Sequence, residues 1–231
     1  LHQFALALHS FHEMSGRFPA GSYVMGPSLK QMPGWGWGTA ILPQIEQGPL
    51  YHQIDIHVGT MVGQNAAVIS RPFPLWQCPS DPAGGTMSIQ PIGRPAAVIS
   101  SGNYVGVEGL LFEMSSTRMA DITDGASQTL LLGERVVQPS QNGGLPHTSG
   151  WFGQMAYVDG YEYRSVPHVT AFHKHPINES MSDPAYFSSR HPGAANFAFA
   201  DGSVRILSAS LDSFTLEQLG TPHGGEGVGE F

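Results

Sequence analysis

An Asp-Gly pair between two alternating apolar runs constrains this chain more than any other feature. In the segment Asn196-Phe197-Ala198-Phe199-Ala200-Asp201-Gly202-Ser203-Val204-Arg205-Ile206-Leu207, Asp201 and Gly202 supply the positive φ values that a two-residue hairpin turn requires. That turn predicts a register in which Ala200 faces Ser203, Phe199 faces Val204, Phe197 faces Ile206 and Asn196 faces Leu207. Phe197, Phe199, Val204 and Ile206 then share one face, and a slip of one residue would divide them between both faces. Extended backwards, the register brings His191 level with Asp212, although Pro192 and Gly193 end the pairing near Ala195.

The segments at either end read as helices. Asp212 suits an N-cap, Leu211 and Leu216 a hydrophobic staple, and Gly220 the C′ position of a helix over about 213–219. The glycine-rich remainder, 221–231, reads as a tail or a strap ordered only by contacts. At the other end, Leu1, Phe4, Ala5, Leu8, Phe11 and His12 recur at helical spacing, and Gly16 is a natural stop. The chain opens inside this helix without Met or a signal peptide, so an upstream segment is expected.

Between these ends the punctuation by glycine and proline is dense. Residues 39–55 read as two short helical turns split by Gly48-Pro49, burying Ile41, Leu42, Ile45, Leu50 and Ile54. From 59 to 95 the pattern breaks into short pieces such as Ala66-Ala67-Val68-Ile69 and Pro72-Phe73-Pro74-Leu75-Trp76, whose prolines confine any strand to an edge. Residues 103–107 read as a strand, and 129–137 as the central one, because its near-continuous apolar run needs cover on both faces. Residues 143–189 read as irregular β and loop. The expectation is one α+β domain over 1–231: helix (1–15), loop-rich β region (16–189), hairpin with short helix (190–220) and tail (221–231).

Composition narrows the partners. Charged residues make up 12% of the chain, about half the usual ~25%, and 29 Gly and 18 Pro leave a weakly charged, loop-rich surface suited to lateral packing. A formal charge of −8 without any basic run disfavours nucleic acid and anionic membrane surfaces as partners. No apolar stretch approaches the ~18 residues of a membrane span. The single cysteine, Cys78, excludes a disulfide within the chain as it stands.

Chemistry-bearing residues are present but scattered. His9, His12 and Glu13 could chelate from one helix, yet His12 sits on the apolar stripe and is expected as a hydrogen-bonded core histidine. His168, His173 and His175 read as a surface group, with His173 and His175 weak metal candidates. Asp121 and Asp124, with nearby carbonyls, are weak candidates for structural calcium, and no other cofactor is expected. Glu134, inside the strongest apolar strand, needs a buried partner, with Arg118, Arg164 or Arg190 expected to provide it. Cys78 lies in no reactive motif and no Gly-x-Ser-x-Gly occurs, so no catalysis is expected.

A set of ordered motifs adds a resemblance. His191, the nine residues Pro192 to Ala200 and then Asp201-Gly202 form a His-x9-Asp-Gly signature. Upstream, in order, come Leu6-Ala7-Leu8-His9-Ser10-Phe11-His12 with Gly16-Arg17-Phe18-Pro19, then Trp35-Gly36-Trp37, Leu42-Pro43 with Glu46-Gln47, and Leu50-Tyr51. Cys78-Pro79-Ser80-Asp81-Pro82, Asn103-Tyr104, Ile122-Thr123-Asp124-Gly125-Ala126-Ser127 and Gly133-Glu134-Arg135 follow. Together they resemble a bacterial, planctomycete-type family of prepilin-like proteins of unknown function. The resemblance implies a pilin-like fold with the N-terminal helix packed on an antiparallel sheet, export, and leader removal. It also implies a membrane-spanning upstream half of the helix before assembly. Relatives place a Cys shortly before the position matching Leu1, so Cys78 is expected to be disulfide-bonded in the complete protein.

The function expected on this basis is that of a structural subunit in a helical homo-oligomeric filament at the cell surface. Leu1, Phe4, Ala5, Leu8 and Phe11 would form the assembly face. The alternative is an extracellular carbohydrate- or ligand-binding module with Trp35, Trp37, Trp151 and Tyr161 as exposed stacking platforms. His191 is expected to anchor the open end of the hairpin to Asp212 or to a neighbouring loop.

Overall fold

A computed structural model describes residues 1–24, 33–89, 96–137, 149–153, 155–157, 164–166, 170–171, 174–179 and 186–225. Helix α1 (His2–Ser15) follows from the periodicity at the N-terminus and buries Phe4, Ala5, Ala7 and Leu8 in the chain's own core, with Leu1 and Phe11 packed partly against it, so the stripe expected as an assembly face is taken up within the subunit. Gly16 ends it in the left-handed region at φ 73°, its N–H donating to the carbonyl of His12. A short hairpin of β1 (Ser22–Val24) and β2 (Pro33–Gly36) leads into α2 (Trp37–Ala40), a 3-10 turn at Leu42–Ile45 and α3 (Gly48–Tyr51). Gly48-Pro49 does not split these turns: Pro49 lies in the first turn of α3, where its missing N–H costs nothing. Ile41, Leu42 and Ile54 are buried as expected, and Ile45 and Leu50 pack partly against them.

Helix α4 (Gln64–Ile69) and a 3-10 turn at Pro74–Trp76 precede an antiparallel pair, β3 (Thr86–Ile89) with β4 (Ala97–Ser100). Then come β5 (Tyr104–Val107), β6 (Leu130–Glu134), the small pair β7 (Met155–Tyr157) with β8 (Arg164–Val166), and β9 (Thr170–Ala171). The hairpin β10 (Ala194–Phe199) and β11 (Val204–Ser208) and helix α5 (Ser213–Gly220) complete the chain. The main sheet runs β11-β10-β6-β5-β9, antiparallel except for the last pair.

The central position expected for 129–137 is found, and all five residues of β6 are buried. One face of the sheet, with Leu132, Ala198 and Ala200, joins the core under α1; the other, with Val105, Leu130, Phe197 and Phe199, joins Leu216 and Leu219 of α5. Two covered faces are what a continuous apolar strand demands. Gly133 has no alternative in this strand, because a Cβ there would come within 2.5 Å of Phe187 and 2.7 Å of Phe197.

Two further expectations are corrected. The hairpin has a three-residue loop, Ala200-Asp201-Gly202, in which only Gly202 takes a positive φ, 86°. Phe199 N–H donates to Ser203 O, Gly202 N–H donates to Phe199 O, and the ladder pairs Ala198 with Val204, Phe197 with Arg205 and Ala195 with Leu207. This is a turn followed by a glycine bulge, which Asp-Gly serves as well as a two-residue turn. The register therefore slips by one residue. Ile206 is 71% exposed, while Arg205 lies over the Phe199 ring at 4.3 Å. His191 does not reach Asp212: the ladder ends at the pair Ala194 and Ser208, and Asp212 caps α5 by accepting from Thr215 N.

The second correction concerns the aromatic residues. Trp35, Trp37 and Trp151 are buried, so they offer no stacking platform; Tyr161 lies outside the described residues. Trp37 and Trp76 pack with Phe4 of α1, at centroid distances of 6.1 and 4.1 Å. These rings fill the core beneath the helix.

Candidate functional site

The motifs that are far apart in sequence meet at one place, where the end of β6, the loop at Cys78 and the turn before β10 converge. Glu134 closes β6 with its side chain only 5% exposed. Its Oε2 accepts from Ser189 Oγ (3.0 Å), Asn196 N (2.8 Å) and Asn196 Nδ2 (3.1 Å). Its Oε1 faces His191 Nε2 at 3.4 Å. The expected arginine partners are engaged elsewhere: Arg118 pairs with Asp121 and Arg190 sits 3.7 Å from Asp81, while the side chain of Arg164 lies outside the described residues.

His191 is therefore anchored to the end of β6. Its Nε2 also lies 3.6 Å from Cys78 Sγ, and its backbone N–H donates to Ser189 Oγ. Ser189 thus holds both partners at once, donating to the carboxylate and accepting from the histidine backbone.

Asn103 fixes the loop that carries Cys78. Its Oδ1 accepts from Cys78 N (2.9 Å), and its Nδ2 donates to Asp81 Oδ2 (2.7 Å) and to Arg135 O (2.9 Å). Asp81 Oδ2 also accepts from Val137 N at 2.8 Å. With Asn103 and Asp81 both buried, this network replaces water at every bond it makes and leaves the loop little freedom.

The geometry does not match a nucleophilic relay. A cysteine activated by histidine needs thiol and carboxylate on opposite ring nitrogens, whereas here both approach Nε2. Burial raises the pKa of Cys78, with the charge of Glu134 adding to the effect and hydrogen bonds from Ser80 opposing it. Burial first, then the charges of Cys78 and Glu134, raise that of Tyr104 as well. A nucleophile would need the thiol shifted the other way.

The other candidates have local partners. His12 Nε2 accepts from Met119 N at 3.0 Å, the hydrogen-bonded state expected of it. His175 pairs with Glu179 at 2.9 Å and stacks on Tyr186, and His168 and His173 lie outside the described residues. The calcium candidates are diverted: Asp121 is held by Arg118, and Asp124 accepts from Gly224 N and Gly225 N. That second contact straps the start of the expected tail to the body. Cys78, Asp81, Asn103 and Ser189 were absent from the expected site; the first three stood within the motifs Cys78-Pro79-Ser80-Asp81-Pro82 and Asn103-Tyr104, but nothing local linked them to Glu134 or His191.

Fold and site together define a mixed α/β domain with an N-terminal helix and antiparallel strands, in which the C-terminal hairpin meets β6 at a Cys-Glu-His group whose Cys and Glu are buried. The chain belongs to the bacterial family described as Protein of unknown function (DUF1559), SBP_bac_10, whose model matches residues 1–213. No curated protein and no solved structure matches it.

Proposed function

We propose that this protein is a non-catalytic structural subunit of a pilin-like assembly, exported and polymerised at the cell surface through its N-terminal helix. The observation that carries the reading is the placement of α1: Phe4, Ala5, Ala7 and Leu8 are buried against the domain, while Leu6 on the outer side stays 52% exposed. Among the polar His2, Gln3, Ser10 and Glu13 of that side, Leu6, with Met14 80% exposed further along, is the apolar surface the helix has to offer a neighbouring subunit. The weakly charged surface supports the same reading, since few charges must be desolvated when copies pack side by side. Head-to-tail contacts of this kind propagate as a helical filament.

Electron microscopy of the full-length protein from its host tests this. Filaments are expected, and Leu6→Glu is expected to abolish them while leaving the circular dichroism of the domain unchanged. Monodisperse single subunits from the unmutated protein would reject the reading.

A further inference from the structure

We propose that Cys78 Sγ, Glu134 Oε1 and His191 Nε2 are the three protein ligands of a zinc-class divalent cation, with a fourth position left for water or another donor. These atoms lie within 4.8 Å of one another on Cys78, Glu134 and His191. The site goes beyond the filament reading and does not depend on it, and it takes the place of the disulfide that the resemblance implies for Cys78.

The distances distinguish this from an ordinary hydrogen-bonded group. A charge-assisted bond between histidine and carboxylate closes to about 2.7–2.9 Å, but Nε2 and Oε1 stand 3.4 Å apart. One nitrogen also cannot direct a single N–H at both Oε1 and Sγ. Around a tetrahedral zinc, with bonds of about 2.3 Å to sulfur and about 2.0–2.2 Å to nitrogen and oxygen, neighbouring ligands are separated by roughly 3.5–3.6 Å (S to N) and 3.3–3.5 Å (N to O). The observed separations are 3.6 and 3.4 Å. Both match the corresponding edges of such a tetrahedron.

The supporting bonds point the same way. The bonds from Ser189 and Asn196 to Glu134 gather on Oε2, so that Oε1 is turned towards the histidine and thiol. A monodentate carboxylate oriented by bonds to its distal oxygen is the usual outer-shell arrangement of a metal ligand. Asn103 fixes the backbone of Cys78, and Ser189 fixes both Glu134 and His191. A thiolate, an imidazole and a carboxylate form a donor set suited to zinc rather than to calcium or magnesium. The thiolate and carboxylate together match the charge of the dication.

The test uses the full-length protein purified without chelator. About one zinc per chain is expected by elemental analysis. Replacement by Co2+ should give the charge-transfer absorption of a cobalt thiolate together with the d–d bands of a tetrahedral ion. Cys78→Ser should lose the charge-transfer band, and His191→Gln should weaken zinc binding by more than the ~10–100-fold expected of the outer-shell variant Ser189→Ala. Should Cys78→Ser fail to fold, the unmutated protein still decides: zinc should protect Cys78 from alkylation, and chelator should restore its reactivity. A folded protein without the cobalt-thiolate band would overturn the proposal. So would variants that bind zinc as tightly as the unmutated chain, or Cys78 found in a disulfide by non-reducing mass spectrometry.

Discussion

The two ends of the β10–β11 hairpin are built on opposite principles. At the closed end the bonds that shape the loop join near neighbours, Gly202 N–H to Phe199 O, Phe199 N–H to Ser203 O and Ser203 N–H to Asp201 Oδ1, and only Ala200 N–H and Asp201 N–H reach further, to Thr129 O and Ala126 O. At the open end His191 meets Glu134 and Cys78, the latter 113 residues earlier in the chain. The first is a turn whose shape is set by its own backbone, with Asp201 exposed and Ala200 in the core, the second a polar junction assembled by the whole fold. One continuous motif therefore contains a part that forms locally and a part that exists only after the sheet does.

If that contrast is right, the largest loss of stability should come from a residue outside the hairpin altogether. Asn103→Ala removes the side chain that bonds Cys78 N, Asp81 Oδ2 and Arg135 O. With each unpaired buried group costing roughly 1–3 kcal/mol, a loss of about 4 kcal/mol is expected once part of the network relaxes. Urea denaturation with chelator present measures it without any metal contribution. His191→Ala comes next, at about 2 kcal/mol, because the buried Glu134 Oε1 then loses the ring nitrogen it faces. A loss below about 0.5 kcal/mol for either would place the junction among ordinary surface contacts.

The same contrast explains how much could be read in advance. Helix α1, its stop at Gly16, the cap at Asp212 and the central position of β6 are set by periodicity and local backbone chemistry, which a sequence displays directly. The hairpin register was only half legible. Asp-Gly fits two loop lengths, and the choice rests with the core, which places Leu207 opposite Ala195 and turns Ile206 outward. At the open end, Glu134 announced itself as a carboxylate in an apolar strand, but its partners are a serine, an asparagine and a histidine supplied by other segments. The pair β3 and β4 was missed because the intervening 90–95 and the prolines nearby masked a short alternation. The Trp residues near glycine loops gave no sign of burial, since nothing local fixes which side of a loop faces the core.

At the closed end the expected effect is smaller. Gly202 holds φ 86°, and a Cβ added there would only reach ordinary contact with His9, 3.6 Å away. Gly202→Ala should therefore cost only the backbone strain of the left-handed region, about 1–2 kcal/mol. A substantially larger loss would show that the turn, too, depends on its packing under α1, and the distinction between the two ends would weaken.

The smallest effect is a matter of pH and belongs to the junction alone. Burial raises the pKa of Cys78 in the folded, metal-free chain, whereas an unfolded thiol titrates near about 8.5. The unfolded state then gives up its proton first. Stability is unaffected below the unfolded value and declines as pH rises towards the higher folded one. Tyr104, raised in the same direction, adds a similar decline at more alkaline pH, but it is present in any comparison made at Cys78. Thermal melts in chelator over about pH 7.5–10, a window spanning the ordinary thiol value, should therefore fall more steeply for the unmutated protein than for Cys78→Ser. Gly202→Ala should keep the slope of the unmutated protein, because the closed end holds no thiol. Parallel slopes for all three would mean that the Cys78 thiol is as free to ionise in the fold as out of it, and the junction would lose its claim to be a dry site.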